Sequence, residues 1–180
     1  MIKVSTKQGD KGETGLADGS RKSKTDIVFA AIGDVDELNS WLGFIVVKFG
    51  TEFIKYKKTL LKIQDTLFYV GAELAKAKNT KLEGRLVKQL EKESDNLQNL
   101  LAKDWHTKFL LPGGTELGAY LDITRTVCRR AERSLVQLSQ KDTVRPVVLQ
   151  YFNRLSDYLY VLRCHINHTL EYQEKQFQKK

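Results

Sequence analysis

Four of the chain's nine arginines, Arg125, Arg129, Arg130 and Arg133, fall within nine consecutive residues, with Glu132 among them. On a helix turning 100° per residue, Arg125, Arg129, Glu132 and Arg133 share about a quarter of the circumference. Guanidinium forks match phosphate oxygens two bonds at a time and keep their charge at any physiological pH. The chemistry such a stripe would do is to grip a phosphorylated ligand. A second polar line lies downstream, where Asn153 and Asp157 stand one helical turn apart and Tyr160 and Cys164 continue the row. A third candidate is Thr6-Lys7-Gln8-Gly9-Asp10-Lys11-Gly12-Glu13-Thr14-Gly15, which crowds glycines, hydroxyls and lysines together. Exposed N–H groups, small side chains and a cation are what an anion nest needs. The stretch is neither a Walker loop nor a dinucleotide fingerprint, and no strand precedes it. Plainer readings exist for each feature: a solvated arginine face with glutamate partners, or a loose terminus.

Apolar spacing supplies the elements that must hold these residues. From about residue 25, Val28, Ala31, Ile32, Val35, Leu38, Leu42, Ile45 and Phe49 follow the three-and-four spacing of a buried helical stripe. Gly50 closes this first helix as a residue tolerant of left-handed dihedrals. A second stripe runs through Leu60, Ile63, Leu67, Val70 and Leu74, with Gly71 marking a close helix–helix contact. Residues 81–103 read as an outer helix with one wet face and a narrow leucine seam. Phe109-Leu110-Leu111-Pro112-Gly113-Gly114 then forces a turn. A fourth helix, roughly 115–140, buries Leu117, Leu121, Thr124, Cys128, Ala131 and Leu135. A fifth, roughly 145–172, has Pro146 in its first turn and buries Val148, Tyr151, Leu155, Tyr158, Leu162 and Ile166. Strand signals are nearly absent. The expected fold is all-α: a single domain over 1–180, with a glycine-rich arm (1–24), a five-helix bundle of ferritin-like packing (25–172) and a polar tail (173–180).

Composition narrows the partner. Thirty Lys and Arg against 22 Asp and Glu give a net charge of +8, which asks for an anion without choosing among nucleic acid, membrane and phosphorylated small molecule. Cys128 and Cys164 are too few for a disulfide framework and sit in helical sequence, so reduced thiols are expected. The opening residues lack the apolar run of a secretory signal, and no window reaches the roughly 18 apolar residues of a membrane span. A soluble, cytoplasmic protein is expected. His165 and His168, beside Cys164, have ligand-like spacing but no fourth ligand, so no metal site belonging to the protein is expected. A basic helical nucleic-acid-binding protein is one alternative, unaccompanied by zinc spacing or a stacking face. A structural interaction protein is another, and it leaves the arm and the Pro112-Gly113-Gly114 break unexplained.

Four motifs, taken in order, resemble the PduO-type ATP:cob(I)alamin adenosyltransferases. They are Thr6 to Gly12, Gly33-Asp34-Val35-Asp36-Glu37-Leu38-Asn39, Phe109 to Gly114, and Arg125 to Arg133 followed by Asn153-Arg154-Leu155-Ser156-Asp157, spanning about residues 3–167. The resemblance implies transfer of the 5′-deoxyadenosyl group of ATP to the cobalt of cob(I)alamin, with release of triphosphate. It implies a homotrimer with its active site between subunits. ATP would be held by Thr6, Lys7, Gly9, Thr14, Gly15 and Lys24 of the arm, and by Arg129, Arg130, Glu132, Arg133 and Asn153 of the neighbouring helices. Asp36 and Arg125 would form an intersubunit salt bridge beside the corrinoid, Phe109 would displace the lower axial ligand of the cobalt, and Asp157 would lie near the corrinoid. Arg129, Arg133, Phe109, Asp36 and Arg125 would carry the catalysis. Mg²⁺ would accompany ATP, and cobalamin, as cob(I)alamin or cob(II)alamin, would be the second substrate. A reductase supplying electrons and an adenosylcobalamin-dependent acceptor enzyme are the implied partners, with no nucleic acid and no membrane.

Overall fold

Asp26 starts the first helix: its carboxylate accepts from the Val28 N–H at 3.0 Å, capping one of the free donors of the first turn. The computed structural model describes residues 5, 7–103, 105 and 109–178. Five helices follow one another, α1 (Ile27–Lys48), α2 (Ile54–Leu74), α3 (Gly84–Gln98), α4 (Glu116–Ser139) and α5 (Pro146–Thr169). Thr115 caps α4 by accepting from Gly118 N–H at 3.1 Å, and Pro146 opens α5 where its missing N–H costs nothing. The all-α expectation holds for the bundle. The arm adds an antiparallel hairpin, β1 (Glu13–Gly15) with β2 (Arg21–Ser23), in which Thr14 faces Lys22.

Neighbouring backbones run α2–α1–α4–α5–α3. Tyr56 of α2 closes the ring, its hydroxyl 2.7 Å from His165 Nε2 on α5. The expected inner faces are buried, Leu121, Thr124, Cys128, Ala131 and Leu135 on α4 and Val148 through Ile166 on α5. Unexpectedly, α5 is covered nearly all round over its last turns, burying Phe152, Leu159, Val161, Arg163, Cys164, His165 and Asn167 as well. A helix sandwiched between α4 and α3 has no wet face there.

Two expectations, for Gly50 and Gly71, are corrected. Gly50 has φ −74, an extended rather than left-handed conformation; α1 stops at Lys48 and a 3₁₀ turn, Thr51–Phe53, leads into α2. Gly71 meets nothing: a Cβ there would find open space, so no close helix contact explains it. The polar tail is not a free appendage. Leu111 N–H donates to Lys175 C=O and Phe177 N–H to Phe109 C=O, both at 2.8 Å, so the tail pairs with the loop before α4.

Close approach is real at Gly118. A Cβ there would fall 2.2 Å from Asn167 Oδ1 and 2.8 Å from its Cγ. Asn167 cannot retreat, since its amide bonds Gly113 C=O at 3.0 Å while its Oδ1 accepts from Thr115 N–H and hydroxyl. Gly118→Ala is therefore expected to destabilise by about 1–3 kcal/mol through overpacking, although alanine in a helix interior normally gains about 1 kcal/mol over glycine. Urea unfolding reads this directly: the midpoint should fall with an unchanged slope.

Candidate functional site

Helix α4 places Arg129, Glu132 and Arg133 on one outward face, where they line a depression with Val136 and with Asn153 of α5. Asn153 Nδ2 donates to Glu132 Oε1 at 3.2 Å, which joins the two helices across the depression. Arg129 and Arg133 are exposed and make no hydrogen bond or ion pair with any described residue. Two unpaired guanidinium groups beside a held carboxylate and amide form a positive crevice.

Beside Asn153 on α5, Arg154 Nη1 donates to Asn153 Oδ1 at 2.7 Å and lies 3.5 Å from Asp157 Oδ2, while its Nε bonds Glu91 of α3 at 2.9 Å. Arg154 thus orders both Asn153 and Asp157, a role the sequence did not single out. Arg125 lies over the Tyr160 ring, 5.7 Å from its centre, with its buried Nε unpartnered. Burial pushes the Tyr160 phenol up to about 12, so it stays protonated at neutral pH. Asp36, on α1, is exposed and forms no ion pair with Arg125 within the chain.

Arg130 stands apart from the crevice. One residue past Arg129, it points about 100° around the helix and reaches α1 instead of the crevice. Its Nε bonds Asp34 at 3.2 Å and its Nη2 bonds Glu37. The Arg130 hydrogen bond also holds the Glu37 carboxyl below the usual range. Ser134 adds a hydrogen bond to Asp34. This set ties α4 to α1; it does not face the other ATP candidates.

The arm gathers most of its own candidates. Lys24 folds over Gly9, whose Cβ, if present, would fall 3.0 Å from Lys24 Nζ. Arg21 Nη2 donates to Gln8 C=O at 3.0 Å, and Ala17 N–H to Ala75 C=O at 2.8 Å, anchoring the hairpin to the end of α2. Thr14 and Gly15 lie on β1 and Lys7 in the turn before it, with Lys7 at φ 57. The Gly12 N–H is already taken by Gly9 C=O at 3.2 Å. Thr6 lies outside the described residues. No hydrogen bond or ion pair among the described residues joins the arm to Arg129, Arg133 or Asn153 within one chain.

Phe109 stands at the rim of the loop with 83% of its surface exposed. That loop is held from beneath by Arg163, the bulkiest fully buried side chain. Its Nη2 donates to Leu111 C=O at 2.9 Å and Gly113 C=O at 3.0 Å, its Nε to Asp122 at 3.1 Å and its Nη1 to Glu174. Nothing in the apolar periodicity of α5 signals this cluster.

Nucleophilic catalysis by the protein has no candidate thiol. Burial raises both Cys128 and Cys164, which are free and enclosed. No group of three or more His, Cys, Asp or Glu side chains among the described residues could hold a metal. No helix among them is long and apolar enough to cross a membrane.

Fold and site together define a helical-bundle protein that presents uncompensated arginines to an anion. A family model described as cobalamin adenosyltransferase matches residues 4–166. A cobalamin adenosyltransferase of Cupriavidus metallidurans is 42% identical over 167 residues, covering 93% of this chain and 89% of that protein. The corrinoid adenosyltransferase of Bacillus subtilis is 37% identical over 171 residues, covering 92% and 87%. A variant PduO-type ATP:corrinoid adenosyltransferase from Lactobacillus reuteri, complexed with cobalamin and ATP, has a TM-score of 0.92 at 33% identity, covering 98% of this chain and all of that one. The chain belongs to the cobalamin adenosyltransferase family.

The neighbouring arginines should separate by experiment. Arg130→Ala is expected to cost about 1 kcal/mol, a modest figure because the pair is partly exposed. Arg129→Ala, which removes no bond within the chain, should stay within about 0.5 kcal/mol of the parent. Thermal unfolding of the two variants side by side tests the assignment; equal losses would contradict it.

Proposed function

We propose that this chain transfers the 5′-deoxyadenosyl group of ATP to the cobalt of cob(I)alamin, forming adenosylcobalamin and releasing triphosphate. The observation that carries the reading is the pair of unpaired guanidinium groups, Arg129 and Arg133, set beside the bonded Glu132–Asn153 pair in a chain of this family. Cobalt(I) supplies the electron pair, the bond from C5′ to oxygen breaks, and that bond's electrons depart with the triphosphate. The attacking atom belongs to the substrate, so the buried thiols are not needed as nucleophiles.

What the protein must supply is charge compensation and alignment. Arg129 and Arg133, with Lys7 from the arm, meet the charge that accumulates on the leaving group. Glu132 and Asn153 fix the nucleotide's orientation, and Thr6, Gly9, Thr14, Gly15 and Lys24 line the arm's side of the site. Arg130 is left out of the ligand shell; through Asp34 and Glu37 it steadies the helix that aims Arg129. Magnesium enters this reading with the nucleotide. Glu132 is the one carboxylate lining the crevice, so phosphate oxygens would hold the ion, which would offset their charge.

Within one chain no hydrogen bond or ion pair among the described residues joins the arm to Arg129, Arg133 or Asn153, which favours a site completed by a second copy in a homotrimer. The same arrangement gives Arg125 and Asp36, unjoined here, a route to each other across subunits beside the corrinoid, near Asp157. Phe109 is apolar and cannot coordinate a metal. Set against the lower face of the corrinoid, it would exclude both the axial base and water, and cobalt(II) without that ligand accepts an electron more readily. A reductase would provide the electron, an adenosylcobalamin-dependent enzyme would take the product, and the cytoplasm is the compartment we assign.

Mixing the protein with ATP and reduced cobalamin should produce the light-sensitive spectrum of adenosylcobalamin; no spectral change would end the proposal. Arg129→Ala should cut that turnover steeply, by about a hundredfold, with the bundle still folded by circular dichroism. Unchanged ATP kinetics would remove Arg129 from the site. Phe109→Ala should impair turnover from cob(II)alamin far more than from chemically supplied cob(I)alamin. Equal losses from both would overturn its role.

A further inference from the structure

The polar cluster beneath the Phe109 loop belongs to neither ligand shell, yet it takes four ionisable or amide side chains out of water. Arg163, Asp122 and Asn167 are buried, and Glu174 is mostly so. Replacing such a cluster by apolar groups of similar volume is often neutral or stabilising, so stability is a weak account of it. Geometry gives a better one. A planar guanidinium can fix several partners in defined directions at once, and here those partners come from two segments far apart in sequence.

From the loop, the carbonyls of Leu111 and Gly113 accept from Nη2, while Asp122 takes Nε and also accepts the Gly113 N–H at 2.8 Å. From the tail, Glu174 takes Nη1 and also accepts from Asn167 Nδ2 at 3.0 Å. Immediately beyond Glu174 the tail pairs with the loop, Lys175 C=O to Leu111 N–H and Phe177 N–H to Phe109 C=O. Phe109 therefore sits on a short ladder, both rails of which are fastened to one arginine. Gly113 and Gly114, at φ 119 and 108, let the loop turn sharply onto that anchor.

We propose that Arg163 is a positioning residue for the corrinoid step: acting through Glu174 and the Leu111 and Gly113 carbonyls, it sets the height and tilt of the Phe109 ring. The inference rests on the reading of Phe109 given above. Its consequence is selective. A ring displaced by a fraction of an ångström no longer excludes the axial ligand, while the arginines on α4 keep their hold on ATP. Reaction from cobalt(II) suffers and reaction from cobalt(I) does not.

The test compares the full-length protein with Glu174→Gln, Arg163→Lys and Phe109→Ala. Glu174→Gln keeps the side chain's shape and alters a less buried position than Arg163, so it decides the matter if Arg163→Lys fails to fold. Adenosylation is measured from cob(II)alamin with a chemical reductant and from preformed cob(I)alamin. In parallel, electron paramagnetic resonance of the ATP complex reads the fraction of four-coordinate cobalt(II). Glu174→Gln should slow the cob(II)alamin reaction by tenfold or more, in the range that small misplacements cost, roughly 10–100-fold. The cob(I)alamin reaction and the KM for ATP should stay within about threefold of the parent, and the four-coordinate signal should shrink. Parallel losses in both reactions, or no loss in either while Phe109→Ala remains selective, would overturn the role of Arg163. If Phe109→Ala is itself unselective, the reading of Phe109 fails and this inference falls with it.

Discussion

Guanidinium charge does not titrate away at physiological pH, so every arginine must be met by an anion, a carbonyl, water or a ligand. The nine arginines sort by how that demand is answered. Arg21 and Arg85 find local carboxylates on the surface. Four others tie elements together: Arg130 joins α4 to α1, Arg154 joins α5 to α3, Arg145 at the start of α5 bonds Glu73 of α2 twice, at 2.6 and 2.7 Å, and Arg163 fastens loop and tail. Arg125, Arg129 and Arg133 are left over, all on α4. The bundle's internal compensation stops on one face of α4, where the proposed site lies.

This division explains why a helical bundle serves the reaction. Neither acid–base relay nor protein nucleophile is required when the substrate brings its own electron pair. The scaffold has to hold cations still while they remain unpaired, which is costly on a flexible loop. On α4, packed against α1 and α5, the backbone cannot drift toward a compensating carboxylate. Asp34 and Glu37, the two α1 carboxylates that bond α4, are already occupied by Arg130. Electrostatic preorganisation of this kind involves no rearrangement at the moment of reaction.

Much of this was legible in the sequence, for a physical reason. Helical periodicity reports which face is apolar, so the α4 and α5 cores, and the stripe of Arg125, Arg129, Glu132 and Arg133, follow from 100° steps. The same rule also separates Arg130 from Arg129. The Pro112-Gly113-Gly114 turn was visible because those residues restrict the backbone locally. What stayed hidden depended on tertiary pairing. Arg163 and Asn167 look like ordinary polar residues near a helix end until α4, the loop and the tail close over them. Glu174 looks like part of a solvated tail. Gly118 reads as a weak helix residue, because only the Asn167 side chain across the contact makes its missing Cβ necessary. Gly50 and Gly71 erred the other way, since a glycine need not have a steric reason for its place.

The proposed division of the site between copies fits the same electrostatics. Gathering Lys7, Lys24, Arg129 and Arg133 around one empty crevice within a single chain would concentrate positive charge during folding, before any phosphate arrives to offset it. Placing the lysines on an arm anchored to the end of α2, with no bond among the described residues to the arginines of α4, lets the two sets be ordered separately in the monomer. In the proposed trimer they meet only at a subunit boundary, where bound nucleotide shares the work of holding them together. The exposed Phe109 fits this logic. An aromatic ring left 83% in water gives up its own burial in the free chain, and in the proposed role that burial would become available as binding energy once a corrinoid covered it. The fixed clamp beneath the loop keeps the ring from folding inward to recover it sooner.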